Sequence, residues 1–270
     1  MTLSLSGRLR RRIARSLWPS AFEPPPAPQP PPAPAPEPPS RPAWATYMGD
    51  GLATAHNSDF LDNERFRRAY AAGKATGSWW HYDVHWRAYV VCWAARCGLS
   101  LEGDYVECGV YRGGYSRMLA DYVDLAARPD KKLYLVDTYS GVPKRFISQG
   151  HEAWLETLYP DSHADVIRTF ADLPNAVIVP GMIPEVLAQV RPESVCYLSI
   201  DLNCVEPSIS AAEHFWPLMS AGAAIVLDDY GFAVFHDQKV AFDAWAARQG
   251  VEILTLPTGQ GLLIKPPPGR

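Results

Sequence analysis

Seven short apolar runs punctuate the chain from residue 105 onward, and their spacing constrains the fold more than any other feature. They are Tyr105 to Cys108, Leu133 to Val136, Ala176 to Val179, Val195 to Ile200, Ala223 to Leu227, Val251 to Leu256 and Gly261 to Ile264. Between the first six lie segments long enough for helices. Strands that alternate with helices build a parallel sheet covered on both faces. Only the turn Pro257-Thr-Gly-Gln260 separates the last two runs. That is too short for a crossover helix, so this pair must be antiparallel. Upstream, helices fit Asp59 to Ala72 and the aromatic-rich stretch Asp83 to Cys97. The expected class is α/β.

The chain ahead of these blocks is different in character. Residues 1–20 set Leu5, Leu9, Ile13 and Leu17 four apart among Arg8, Arg10, Arg11, Arg12 and Arg15, the pattern of a short basic amphipathic helix. A solvated tail is the plain expectation, because short isolated helices are marginal in water. Peripheral contact with an anionic membrane, a partner groove and an organelle transit peptide are the alternatives. Residues 21–42 are too rich in proline for helix or central strand and read as a disordered, extended linker. At roughly 3.1 Å per residue it acts as a semi-rigid spacer. Residues 43–100 then form an N-terminal helical region, a candidate substrate lid, and residues 101–270 the core.

A hydrophobic content of 47% supports a sizeable core, and a net charge of −4 gives no general attraction to nucleic acid. The five cysteines, Cys92, Cys97, Cys108, Cys196 and Cys204, contain no Cys-x-x-Cys pair and read as reduced core residues. With no run of about 18 apolar residues and no apolar signal region, the expected location is cytoplasmic.

In an open parallel sheet, ligands sit beyond the carboxyl ends of the strands. Here the first run leads into Glu107-Cys-Gly109-Val-Tyr-Arg-Gly113-Gly114, the second ends at Asp137-Thr138, the fourth at Asp201-Leu-Asn203 and the fifth at Asp228-Asp229. The glycine loop permits close backbone approach to a ligand, and the helix that follows offers free N–H groups. An acidic group at the end of the next strand, Asp137, can accept the hydroxyls of a ribose. Alternatively, Glu107 and Asp137 are helix caps. Asp201, Asp228 and Asp229 would repel one another in one site unless a cation neutralised them, and an all-oxygen set suits magnesium or another divalent ion. The simpler reading turns one of the two adjacent aspartates away as a helix cap.

Taken together, Glu107-x-Gly-x-x-x-Gly-Gly, Asp137-Thr-Tyr-Ser-Gly141, Pro180-Gly181, Asp201 and Asp228-Asp229-Tyr230 resemble the class I S-adenosylmethionine-dependent O-methyltransferases of the macrocin and mycinamicin type. The 27-residue separation of Asp201 from Asp228 is the sharpest element of the likeness, which covers roughly residues 85–265. The resemblance implies a Rossmann-like sheet of seven strands in the order 3-2-1-4-5-7-6, the seventh antiparallel. It implies a cofactor-binding set of Glu107, Gly109, Tyr111, Gly113, Ser116, Asp137, Thr138 and Gly181, with the first residues at the methionine end and Asp137 on the ribose. It implies Mg²⁺ on Asp201, Asp228 and Asp229, a hydroxyl of a sugar, glycosylated small molecule or glycan as acceptor, and is compatible with a homo-oligomer.

One departure matters. Where the family commonly carries a second aspartate after the fourth strand, this chain has Asn203, and an amide takes no proton at neutral pH. Asn203 is then a neutral metal ligand or an orienting group, and His236 becomes the candidate general base, against the plainer reading of a solvent-facing histidine. His81 and His85 sit in an aromatic stretch suited either to a sugar-binding lid or to core packing. The rival readings are a metal-dependent nucleotide-sugar glycosyltransferase and a catalytically decayed methyltransferase kept as a scaffold.

Overall fold

A computed structural model of the chain describes residues 41–147, 155 and 157–267. The basic N-terminal segment and nearly all of the proline-rich linker lie outside the described residues.

The core strands are β3 (Asp104–Cys108), β4 (Leu133–Asp137), β5 (Ala176–Pro180), β6 (Val195–Ile200), β7 (Met219–Leu227), β8 (Leu254–Thr255) and β9 (Gly261–Ile264). They form one seven-stranded sheet in the order β5-β4-β3-β6-β7-β9-β8. Numbered from β3, this is the expected 3-2-1-4-5-7-6. The β7–β9 and β8–β9 pairs are antiparallel and the others parallel. Strand β6, Val-Cys-Tyr-Leu-Ser-Ile, is buried at every residue, as a central strand covered on both faces must be. Strand β8 is shorter than the apolar run at 251–256, and β7 begins four residues earlier than its run at 223.

Helices α1 (Glu64–Ala75), α2 (His85–Gly98) and α3 (Gly114–Val123) pack on one face, through Phe66, Ala69, Val91, Cys92, Met118 and Leu119. The opposite face is covered by α5 (Val205–Phe215) and α6 (His236–Gln249), through Ala211, Ala212, Phe215, Phe242 and Trp245. A short α4 (His163–Thr169) precedes β5. The start of α1 is set by Asn63, whose side chain accepts the Phe66 amide at 3.1 Å. The five cysteines are free, and four are buried. Among the described residues no helix is long and apolar enough to cross a membrane.

Two features position the site. The parallel register sets Cys108 opposite both Val136 and Ile200, and Ile200 opposite Leu227. One residue further along, Gly109, Asp137, Asp201 and Asp228 therefore arrive level on a single rim. The second is a small hairpin, β1 (Tyr47–Gly49) and β2 (Leu52–Thr54), absent from the strand pattern read in the sequence. Its turn is Asp50-Gly51, with φ of 53° and 76°, the left-handed pair that a tight two-residue hairpin requires.

Candidate active site

The rim opens into a cleft of about 260 Å³ lined by the glycine loop, the ends of β4, β6 and β7, and the segment before α2. Its glycine loop is built by the strand ends themselves. Asp137 Oδ2 accepts the amides of Val110 at 2.6 Å and Tyr111 at 2.8 Å, while Oδ1 accepts that of Tyr139 at 2.7 Å. Asp137 thus shapes the loop whatever else it binds. The Thr138 hydroxyl donates to the Gly141 carbonyl at 2.7 Å, and the Gly181 amide donates to the Asp137 carbonyl at 2.8 Å. Glu107 is buried beneath the loop, accepting from the Ser116 hydroxyl, and burial pushes its carboxyl up to about 8. The Tyr115 hydroxyl lines the same cleft buried and without a partner, the kind of vacant hydrogen-bonding group that a ligand satisfies.

At the far side, one oxygen from each of Asp201, Asp228 and Asp229 falls within 4.8 Å of the others. Burial, and then the charges of Asp228 and Asp229, hold the Asp201 carboxyl well above the usual carboxylate range. Asp229 is pushed up to about 6 by burial and by Asp228, against hydrogen bonds from Gln238 and Asn203 that favour its ionised form. Carboxylates that resist ionising together form a site that gains most from a cation. Hard oxygen donors at this separation suit magnesium, manganese or calcium.

Donors around the cluster fix its geometry. The Asn203 amide donates to Asp229 at 2.8 Å, and its Nδ2 at 3.0 and 3.1 Å. Gln238 Nε2 adds a bond to Asp229 at 3.1 Å, and Gln260 Nε2 one to Asp228 at 3.0 Å. Arg87 donates through Nη1 to Asp228 at 2.8 Å.

The macrocin O-methyltransferase (TylF) family model matches residues 92–253. The chain belongs to this family. It is 22% identical over 147 residues to the demethyldecarbamoylnovobiocin O-methyltransferase of Streptomyces niveus, covering 49% of this chain and 55% of that one. It is also 22% identical over 148 residues to the 8-demethyl-8-(2,3-dimethoxy-alpha-L-rhamnosyl)-tetracenomycin-C 4′-O-methyltransferase of Streptomyces olivaceus, covering 51% and 56%. The chain thus spans about half the length of these curated relatives. Among solved structures, the O-methyltransferase NovP superposes with a TM-score of 0.59 at 19% identity, covering 67% of this chain and 80% of that one. The calicheamicin methyltransferase CalS11 gives 0.50 at 16%, covering 77% and 94%. Both likenesses are of fold.

In this macrocin-family chain the cleft brings together Glu107, Gly109, Tyr111, Asp137, Thr138, Gly181, Asp201, Asn203, Asp228 and Asp229. Ser116 and Gly113 support it from behind: Ser116 through Glu107, and Gly113 by opening α3 in a left-handed conformation with φ of 85°. His236 is not brought in. It is exposed at the first turn of α6, and among the described residues no histidine lines the cleft. His81 is exposed, and His85 stacks on Tyr70 at 4.4 Å. Asn203 has φ of 55°, a left-handed conformation that asparagine tolerates better than most residues. Arg87, Asp50, Gln238 and Gln260 were not singled out in the sequence. An Asp-Gly pair is a turn signal that could have found Asp50; the other three carry none.

Proposed function

We propose that this chain transfers a methyl group from S-adenosylmethionine to a hydroxyl of a sugar-bearing small molecule or glycan, with a divalent cation at Asp201, Asp228 and Asp229. The observation that carries the reading is the convergence of a glycine loop, a buried Glu107 and three carboxylates within 4.8 Å in one cleft of a macrocin-family chain. The tetracenomycin relative is named for 4′-O-methylation of a rhamnosyl-bearing compound, which supports a deoxysugar as acceptor.

The chain's residues divide the work. Asp137 and the left-handed Tyr111 shape the loop that receives the cofactor, and Asp137 is the group for its ribose. Glu107, whose ionised form is favoured when a positive group approaches, suits the cationic methionine end. Asn203 and Gln238 aim Asp229 into the cluster, so Asn203 orients a ligand rather than taking a proton. A bound divalent ion lowers the pKa of a hydroxyl and fixes its direction, the activation that a neutral sugar hydroxyl needs. Trp80, Tyr111 and Tyr159 flank the mouth, with Trp80 44% exposed, and offer apolar faces to a sugar ring.

The test is methyl transfer to a panel of rhamnosides and nucleotide-linked deoxysugars, read by mass spectrometry with and without chelator. Methylated product that disappears in chelator and returns with magnesium is expected. Binding of nucleotide sugars but not of S-adenosylmethionine, measured by calorimetry, would overturn the reading.

A further inference from the structure

Arg87 joins three parts of the fold. It projects from the first turn of α2 and forms a two-point fork with Asp50 in the hairpin turn, Nε to Oδ2 at 2.6 Å and Nη2 to Oδ1 at 2.9 Å. Its remaining reach, Nη1, meets Asp228 Oδ2 at 2.8 Å. The guanidinium lies over the Phe232 ring, 5.3 Å from its centroid, and its side chain is only 17% exposed. A planar fork held on two carboxylates and covered by a ring has little freedom.

The three carboxylates of the cluster are served unequally. Among the described residues Asp229 has neutral donors alone, Asn203 and Gln238. Arg87 also favours the ionised form of Asp201, through its charge. Among the described residues Asp228 is the one of the three with an ion pair, and it shares that partner with Asp50. Because Asp50 shares Arg87, the ionised cluster carries between two and three net negative charges. Without Arg87 it carries three.

We infer that Arg87 is the resident cation of the cluster, and that Asp50 draws its charge partly away from Asp228, so that the pair sets the affinity of the site for a divalent ion. The inference rests on the metal reading proposed above. Each partner has its own effect. Neutralising Arg87 removes a positive charge close to the incoming ion and strengthens its binding. Neutralising Asp50 leaves the whole guanidinium charge to Asp228 and weakens it. A merely structural role for the bridge would move both variants in one direction.

The test is titration of the full chain with Mn²⁺, followed by electron paramagnetic resonance of the free ion, with circular dichroism and thermal melting to establish folding. Arg87→Met is expected to tighten Mn²⁺ binding about tenfold, and Asp50→Asn to weaken it about threefold, the scale of one partly screened charge nearby. Arg87→Lys, which keeps the charge and loses the fork, stays within about threefold of wild type. If Arg87→Met is unstable, Asp50→Asn decides alone: binding of Mn²⁺ as tight as in wild type overturns the inference. Folded Arg87→Met that binds no more tightly than wild type overturns it as well. Wild type that binds no Mn²⁺, or whose binding survives Asp201→Asn, removes the metal reading and this inference with it.

Discussion

A Cβ placed on Gly109 would stand 1.8 Å from the carbonyl oxygen of Asp201. The glycine that opens the loop is thus demanded by the protein's own backbone, where β3 and β6 end level, and φ of 89° there adds a second reason. Gly109→Ala is expected to cost roughly 3 kcal/mol or more of stability, because neither backbone can retreat without disturbing a strand. Urea unfolding checks it, and a change within about 0.5 kcal/mol, as at an ordinary surface position, would show that the loop relaxes freely.

Glu107 gives the ligand-free protein a definite pH dependence. Its carboxyl is raised from 4.5 to about 8 in the fold, so the native state keeps a proton that the unfolded chain releases. Stability contributed by this group is complete below pH 4.5 and is lost as pH climbs toward about 8. Asp201 and Asp229, also raised, act in the same direction. Glu107→Gln should flatten the decline, by at most about 1.4 kcal/mol per pH unit across that window. Thermal melts in chelator between pH 5 and 8 measure it; parallel curves for the two proteins would mean that Glu107 is ionised throughout.

The sheet was legible in the sequence because its signals are local: apolar runs, intervals of helical length, and one four-residue turn. The carboxylates at the strand ends were legible for the same reason, since register brings the residue after each run to one rim. Arg87 was not, because its partners lie 37 and 141 residues away. The hairpin holding Asp50 has strands of three residues each, too short for alternation to show. His236 and Gln238 illustrate a different limit. Which of the two faces inward depends on the phase of α6 after the turn at Ala233–Phe235. The structure buries Gln238 against Asp229 and leaves His236 outside.

Asn203→Asp would bring another carboxylate against Asp229, replacing two donor contacts from the side chain with repulsion. The main-chain bond at 2.8 Å would remain. Burial and Asp228 already push Asp229 up to about 6 with the asparagine in place, and the aspartate should raise it further. On the proposed mechanism, the acid limb of the activity profile moves to higher pH, while activity on the alkaline side persists. An unchanged acid limb would separate Asp229 from that ionisation.

Trp80 tests where the acceptor sits. Its φ of 49° is a costly backbone conformation for a tryptophan, retained at the mouth of the cleft beside Tyr111, which has the same value. The Trp80 ring lies 6.0 Å from that of Tyr111 and 6.2 Å from that of Tyr159, tilted by 37° and 35°. A face left 44% exposed at this position is available to a sugar ring rather than used up in packing. Trp80→Ala should raise the acceptor KM about tenfold, in keeping with the loss of roughly 1 to 1.5 kcal/mol of aromatic contact. S-adenosylmethionine affinity should change much less, because the Trp80 ring meets Tyr111 and Tyr159, while Asp137 is held by loop amides and Glu107 by Ser116. Equal losses of acceptor and cofactor binding, by calorimetry and steady-state kinetics, would instead assign Trp80 to shaping Tyr111 and the cofactor loop.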